Sequence, residues 1–263
     1  MAFGHWQIGM HIQCDGVYCV ALARDKSQYA LRRWWHIPLG DAVIREGQIS
    51  QPDALSAALR PWSKTIPRRH RIRLAFPAGR TLQKRLPRPA MQLRESQQAR
   101  WVASTVAREL EMASEDLRFD YTEDSIKSAF SVTAVQNRDI AVLLDLGHAL
   151  NLHIAAITPD ACALQRFVPL LIPPACGLVW GDEAQWLWAT RQRWGRQPRE
   201  HTPTVELLTP LVGVEAQHLL TCNVAGADRA FDPWSVIAQR QPPLPAHGDR
   251  FAIAIGLALG EVY

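Results

Sequence analysis

The chain is poor in features that organise small or exported proteins. It has five cysteines, Cys14, Cys19, Cys162, Cys176 and Cys222, an odd number with no Cys-x-x-Cys among them. That excludes a disulfide framework and a structural zinc site as organising devices, and it points to a reducing compartment. Long apolar runs are missing too. The longest uncharged apolar window, Phe167 to Val179, is broken by Pro169, Pro173 and Pro174, so it is too short and too interrupted to span a bilayer. The opening Met-Ala-Phe-Gly-His-Trp-Gln has no basic stretch followed by an apolar run, and no signal peptide is expected. G-x-S-x-G, H-E-x-x-H and G-x-x-x-x-G-K are all absent, which leaves the common hydrolase, zinc-protease and P-loop readings without support. No repeat at a solenoid period and no low-complexity tract is found.

Acidic residues are scarce in one segment. From Arg60 to Arg100 there are twelve Lys or Arg against one acid, Glu95, leaving 17 basic residues against 24 acids elsewhere. Glu109 to Asp124, immediately after, carries seven acids and one Arg. Such an arrangement suits a charged partner or charge pairing between neighbouring elements. The basic segment has three readings: a solvated face, attraction to an anionic membrane surface, and DNA binding. The last is disfavoured, because between Pro61 and Ala99 the only aromatic rings are Trp62 and Phe76, both expected to be buried and so unable to stack on bases.

What remains is an ordinary globular composition, 48% hydrophobic and 21% charged over 263 residues, enough for one large domain or two lobes. Alternation at Trp6, Ile8, Met10 and Ile12, the apolar run Val17 to Ala23, and Tyr29 to Ile37 predict a three-stranded meander. Ser50, with Asp53 three residues on, predicts a capped helix whose buried face is Leu55, Ala58, Leu59 and Trp62. Strands are expected at 72–78 and 81–86, with a break at Pro87 and Pro89. The strongest helix is expected from Met91 to Met112. Its apolar stripe is Ala99, Val102, Ala103, Val106 and Leu110, and Trp101 lies on the opposite, polar face with Arg94, Gln97, Gln98, Thr105 and Arg108. Strands near 117–121, 131–136 and 152–158 alternate with helices near 138–150 and 159–167, so the class is α/β. A hairpin turning at Gly181-Asp182, a helix near Glu215 to Leu220, a loop over 226–249 and a terminal apolar helix or strand complete the pattern.

The quoted stretches "IGMHIQCDGVYCVALAR", "REGQISQPDALSAAL", "LAFPAGRTLQKRLPRP", "QQARWVASTVARELEMASEDLRFDY", "ITPDACAL", "FDPWSVI" and "AIAIGLALG", in that order, resemble the type IV pilus assembly protein PilM family, actin-like proteins related to FtsA. The resemblance covers roughly residues 7–190 and 231–261. It implies an actin-like (ribonuclease H-like) two-lobed α/β fold with an inserted small subdomain and a shortened second lobe. The first lobe would be 1–168, with the insertion at about 87–130, and the reduced second lobe 169–263. It also implies a partner: the short cytoplasmic N-terminus of a PilN-like inner-membrane protein, which in the family docks between the first lobe's main subdomain and the inserted one. Mapped by position, that surface would involve Arg85, Leu86, Arg94, Gln97 and Trp101. The protein would then be cytoplasmic, held beside the inner membrane by its partner, in a pilus-like or DNA-uptake assembly. Trp101 has two readings that do not exclude each other, packing of the helix's second face and an anchor for a peptide.

Departures from the family pattern are concentrated at the nucleotide site. His11 and Gln13 stand where the family has Asp and Gly in the first phosphate loop. Trp180 falls where the family has the Asp of the second, with Gly181 and Asp182 beside it. Gly226 alone stands for the Gly-Gly adenosine loop. Small residues let backbone N–H groups approach phosphates, and a carboxylate is needed near the metal. The expectation is therefore a shell that does not hydrolyse ATP and holds neither ATP nor magnesium tightly. An ATPase with an atypical site using Asp15, Asp160 or Asp182 is the enzymatic alternative, and DNA binding through the basic segment is a second. His11 is expected to be a strand residue beside a cleft, since no second His or carboxylate is spaced to share a metal; His148 and His153 are likewise read as structural.

Overall fold

The computed structural model describes residues 5–25, 28–89, 91, 93–124 and 129–260; the last three residues of the terminal apolar stretch lie outside them. In chain order the elements are β1 (Trp6–Ile12), β2 (Gly16–Asp25), β3 (Gln28–Pro38), β4 (Ile44–Arg45), β5 (Gln48–Ile49), α1 (Pro52–Ser63), β6 (His70–Phe76) and β7 (Leu82–Pro87). There follow α2 (Glu95–Glu109), β8 (Leu117–Asp124), β9 (Ala129–Gln136), α3 (Asn137–Ala149), β10 (Ile154–Pro159) and α4 (Asp160–Ala163). The rest are β11 (Gly177–Gly181), β12 (Gln185–Thr190), β13 (Trp194–Pro198), α5 (Thr209–Val212), β14 (Leu219–Cys222) and α6 (Ala252–Ala258). They form two compact units, one of Met1–Gly79 with Gly147–Tyr263, the other of Arg80–Leu146.

The larger unit holds two sheets. The first has the order β10-β6-β1-β2-β3, and the second β13-β12-β11-β14. β1 pairs antiparallel with β2 and parallel with β6. The expected meander is present, and β1 is covered on both faces: Ile8 and Met10, two apart, are fully buried on one, and Gly9 and His11 are buried on the other. α6 is buried on every side, as a helix apolar all round must be. It packs on β1, β2 and β6, and its approach to β1 is set by Gly9, where a Cβ would lie 1.8 Å from the Ala254 carbonyl oxygen. One core joins α6 to both sheets, from Tyr18, Val20 and Leu22 of β2 to Leu178, Trp180 and Leu187 of β11 and β12. The division at 168/169 therefore separates the strands of the two sheets but not two cores.

In the smaller unit β7, β9 and β8 form an antiparallel sheet. Phe130, Val132 and Ala134 alternate onto one face and meet Val102 and Val106 of α2, with Leu86 and Leu117. The unit extends beyond 87–130 because β7 pairs with β9 from Leu82 onward, and α3 follows β9 directly.

Three local expectations are corrected. α1 is capped at Gln51 with no side-chain bond and begins with Pro52, whose fixed φ starts the helix, so Ser50 stands outside it. α2 is shorter than Met91 to Met112. The Gln97 carboxamide oxygen accepts the Arg94 N–H at 3.1 Å, and Glu111 at φ 51° ends the helix. There the N–H groups of Glu111 and Met112 bond to Arg108 and Ala107, a Schellman closure made without glycine. Finally, Glu215 to Leu220 is not a helix. A 3-10 turn at Ala216–His218 leads into β14, parallel to β11, a strand too short for its period to show.

Candidate functional site

The turn between β1 and β2 is closed by the Gln13 N–H bonding to Gly16 O at 2.9 Å. His11, at the end of β1, is 5% exposed. Gln13 Nε2 donates to its Nδ1 at 3.1 Å, so Gln13 turns back onto the strand. Burial lowers the His11 pKa to about 3, with Asp15 pulling the other way, and the ring is neutral near pH 7. Its edge meets Trp180 of β11, ring centroids 5.8 Å apart at 71°. Trp180 is itself 1% exposed. The two hairpins are thus in direct side-chain contact here, with no phosphate-sized gap between His11 and the indole.

Each acidic candidate has a protein partner, although Asp15 Oδ1 is buried without one among the described residues. Asp15 Oδ2 accepts the Tyr18 hydroxyl at 3.0 Å and pairs with Arg250 Nη1 at 2.6 Å; Arg250 also bonds to the Tyr18 hydroxyl at 2.6 Å. Burial first, then Asp15, holds Tyr18 well above its ordinary pKa. Asp182 Oδ1 accepts the N–H groups of Ala184 and Gln185, both at 2.8 Å. Its carboxylate therefore caps its own turn. Asp160 Oδ1 accepts from Ala78 N–H at 2.9 Å and Ala161 N–H at 2.7 Å, tying the chain after β6 to the first turn of α4. Burial raises Asp160 to about 7 despite those two bonds; nearby Asp182 adds to the rise and Arg196 opposes it.

In the smaller unit, Arg94 and Gln97 are exposed and linked as the start of α2. Arg94 has no acceptor atom, so only the Gln97 half of a capping box can form. Arg85 stands exposed on β7. Leu86 is fully buried in the core, which leaves its side chain no surface to offer. Trp101 is half-buried and packs on Phe130, centroids 6.1 Å apart. The buried face of α2 is Val102, Thr105, Val106 and Ala107, rotated from the expected stripe toward Trp101. The indole therefore borders the buried face instead of opposing it. Phe130 also meets Tyr121 edge-on at 5.6 Å, and Tyr121 stacks with Phe119 at 6.4 Å, so Trp101 is one end of an aromatic row.

No family model matches the chain. It is 47% identical, over 263 residues and the whole length of both chains, to the DNA utilization protein HofM of Escherichia coli (strain K12). The chain belongs to the HofM family. Among solved structures it is similar to the PilM-PilN type IV pilus biogenesis complex, with TM-score 0.68 and 13% identity over 96% of this chain and 97% of that one. It is also similar to the cytoplasmic domain of EpsL, an inner membrane component of the type II secretion system of Vibrio cholerae, with TM-score 0.60 and 12% identity over 97% and 95%. The fold is the actin-like α/β fold that the sequence resemblance implied.

In this HofM-family chain Gly226 is exposed, with φ +68° and open space where a Cβ would stand. Its glycine serves a left-handed turn. Among the described residues no group of three His, Cys, Asp or Glu is placed to hold a metal ion, and no helix is long and apolar enough to cross a membrane. Sequence reading missed Tyr18, Arg250 and Phe130. Tyr18 carried a weak signal, three residues from Asp15, but nothing local to Arg250 announces that it closes the first hairpin.

Proposed function

We propose that this chain is a non-catalytic component of a type IV pilus-like or DNA-uptake assembly, and that it captures the short N-terminal peptide of a PilN-like inner-membrane protein. The contact of His11 with Trp180 carries the reading. By the mapping that the resemblance implies, these two rings stand where an actin-like protein would hold phosphates, and the protein bonds made by Asp15, Asp160 and Asp182 support a site poorly suited to a magnesium triphosphate. Identity to HofM across both chains supports the assembly, and the likeness to the PilM of a PilM-PilN complex supports the kind of partner. Trp101 is the residue of α2 best suited to anchor a peptide, being a large ring already held by Phe130 and still partly open to solvent.

Titration calorimetry with a peptide from the partner's N-terminus is expected to give saturable binding that Trp101→Ala weakens roughly 30-fold, as loss of a hot spot does. Because that change also removes packing on Phe130, Arg94→Ala, exposed and on the same expected surface, tests the site without touching the core and is expected to weaken binding as well. Full affinity after Trp101→Ala in a protein with unchanged melting would remove Trp101 from the site.

One observation favours a second reading. The Asp160 carboxyl, raised to about 7, lies in the range of a general base, as an atypical ATPase would need. A ligand at about 100 times its Kd stabilises by about 2.7 kcal/mol, which for a chain of this size raises Tm by roughly 5–10 °C. No shift is expected with ATP and magnesium. A clear one would favour the enzyme.

A further inference from the structure

The basic segment that the sequence presents as one block is sorted by the fold into two groups. Arg80 pairs with Asp139 at 2.7 Å, Lys84 with Glu109 at 3.5 Å, and Arg88 with Glu123. The last two join the basic segment to the acidic one that follows, so much of its charge is met within the smaller unit. Arg73 is half-buried, its guanidinium against Gly260. A different set remains in the larger unit. Arg60, Lys64, Arg68, Arg69 and Arg71 are all exposed, and none has a carboxylate partner among the described residues. No acid occurs in the sequence between Asp53 and Glu95.

These five cations share a place. Arg60 and Lys64 are one turn apart at the end of α1. Arg68, Arg69 and Arg71 surround His70, the first residue of β6. The Trp6 N–H donates to the Arg69 carbonyl at 3.2 Å, and the Ile72 N–H to His153 O at 2.8 Å, so β1, β6 and β10 all begin at this end of the first sheet. Trp6, half-buried, pairs in register with His70. Trp62 is 4% exposed and unavailable for stacking on a base. What the end offers is five cations without a carboxylate partner among the described residues and, beside them, the half-buried Trp6, whose ring lies 6.4 Å from that of Trp35. That suits the headgroup level of an anionic bilayer better than a nucleic acid, which would call for open aromatic faces or a groove-reading helix.

We propose that this end of the larger unit, built from Arg60, Lys64, Arg68, Arg69 and Arg71 with Trp6 at the start of the neighbouring strand, docks on an anionic lipid surface. This goes beyond peptide capture and needs no protein partner. The whole chain, without any peptide, is sedimented with vesicles of phosphatidylcholine alone and of phosphatidylcholine with phosphatidylglycerol, at low and high salt. Binding is expected only to the anionic vesicles, and it is expected to fall steeply as salt shortens the Debye length. Each cation near such a surface is worth about fivefold, so the triple change Arg68→Ser, Arg69→Ser, Arg71→Ser is expected to weaken partition about a hundredfold. The three side chains are exposed and have no carboxylate partner among the described residues, so melting is expected to stay unchanged. Should the triple variant misfold, Arg68→Glu alone is expected to cost about 25-fold. Equal sedimentation with neutral vesicles, no sedimentation with anionic ones, or full binding by the folded variants would each overturn the proposal. So would tighter binding to duplex DNA at matched phosphate concentration, which would assign the surface to nucleic acid. Because the peptide is left out, failure here leaves the calorimetric test of capture untouched.

Discussion

Gly9→Ala is expected to abolish the native packing of the larger unit, with a loss of more than about 4 kcal/mol. The added Cβ would stand 1.8 Å from the Ala254 carbonyl oxygen and 2.8 Å from the Ala258 nitrogen. Both are backbone atoms of α6 or its neighbours, so no side chain can swing aside to relieve the clash. The helix would have to lift off β1 as a body, and Ile253, Ile255 and Leu257, all buried, would lift with it. Fully burying side chains of this kind is worth about 1.5–3 kcal/mol each, so even partial separation consumes the stability of an ordinary domain. Gly40→Ala is the matched control. No atom lies within 4 Å of its Cβ position, and a change there is expected to be neutral or to add up to about 1 kcal/mol. Urea unfolding of the two variants beside the parent checks both. A Gly9→Ala protein within about 1 kcal/mol of the parent would mean that α6 does not lie on β1 at this distance.

A second large effect is hidden until one of two residues is changed. His11, at about 3 in the fold against 6.5 when free, is unprotonated in the native state where the unfolded chain holds a proton. Between about pH 3 and 6.5 its contribution makes stability rise with pH. Asp160, at about 7 against 3.8, keeps a proton that the unfolded chain has released. Between about pH 3.8 and 7 its contribution makes stability fall with pH. Each slope is about 1.4 kcal/mol per pH unit, and over the shared window the two oppose each other in the parent protein. His11→Gln leaves Asp160 alone, and stability is expected to fall from pH 4 toward 6.5. Asp160→Asn leaves His11 alone, and stability is expected to rise. The slopes of the two variants should differ by about 3 kcal/mol per pH unit. His70, also lowered chiefly by burial, is common to both variants and cancels in the comparison. Unfolding free energies at three pH values decide it, since parallel curves would mean that the two groups are not buried as described.

The strands and helices with strong local patterns were legible in the sequence. Ile8 and Met10 alternate, Leu55, Leu59 and Trp62 recur at helical spacing, and those patterns act through neighbours on the same element. The same reading failed where the deciding neighbour is remote. The stripe chosen for α2 set Trp101 apart, because Phe130, the ring it packs on, belongs to β9 and has no mark in the helix itself. Ser50 looked like a cap, yet Pro52 starts the helix one residue too late for it. The residues at 219–222 form a strand only because β11 lies beside them. At the candidate site the sequence offered the residue types His11, Gln13 and Trp180, set by the resemblance against small or acidic residues of the family, but not the contact between His11 and Trp180.

By itself, then, the amino-acid order determined the α/β class, the likeness to actin-like pilus proteins, the presence of the bulky His11 and Gln13 at the first turn, and the excess of cations between Arg60 and Arg100. Those properties are written in side-chain type and short spacing. Only the tertiary structure decided that His11 meets Trp180, that Arg250 closes the turn at Asp15, that Leu86 is core, and that five of the twelve cations, near the start of β1, β6 and β10, have no carboxylate partner among the described residues. The reason is physical: contact and charge pairing depend on distances in space, and residues far apart along the chain come within reach only when buried apolar surface draws their elements together.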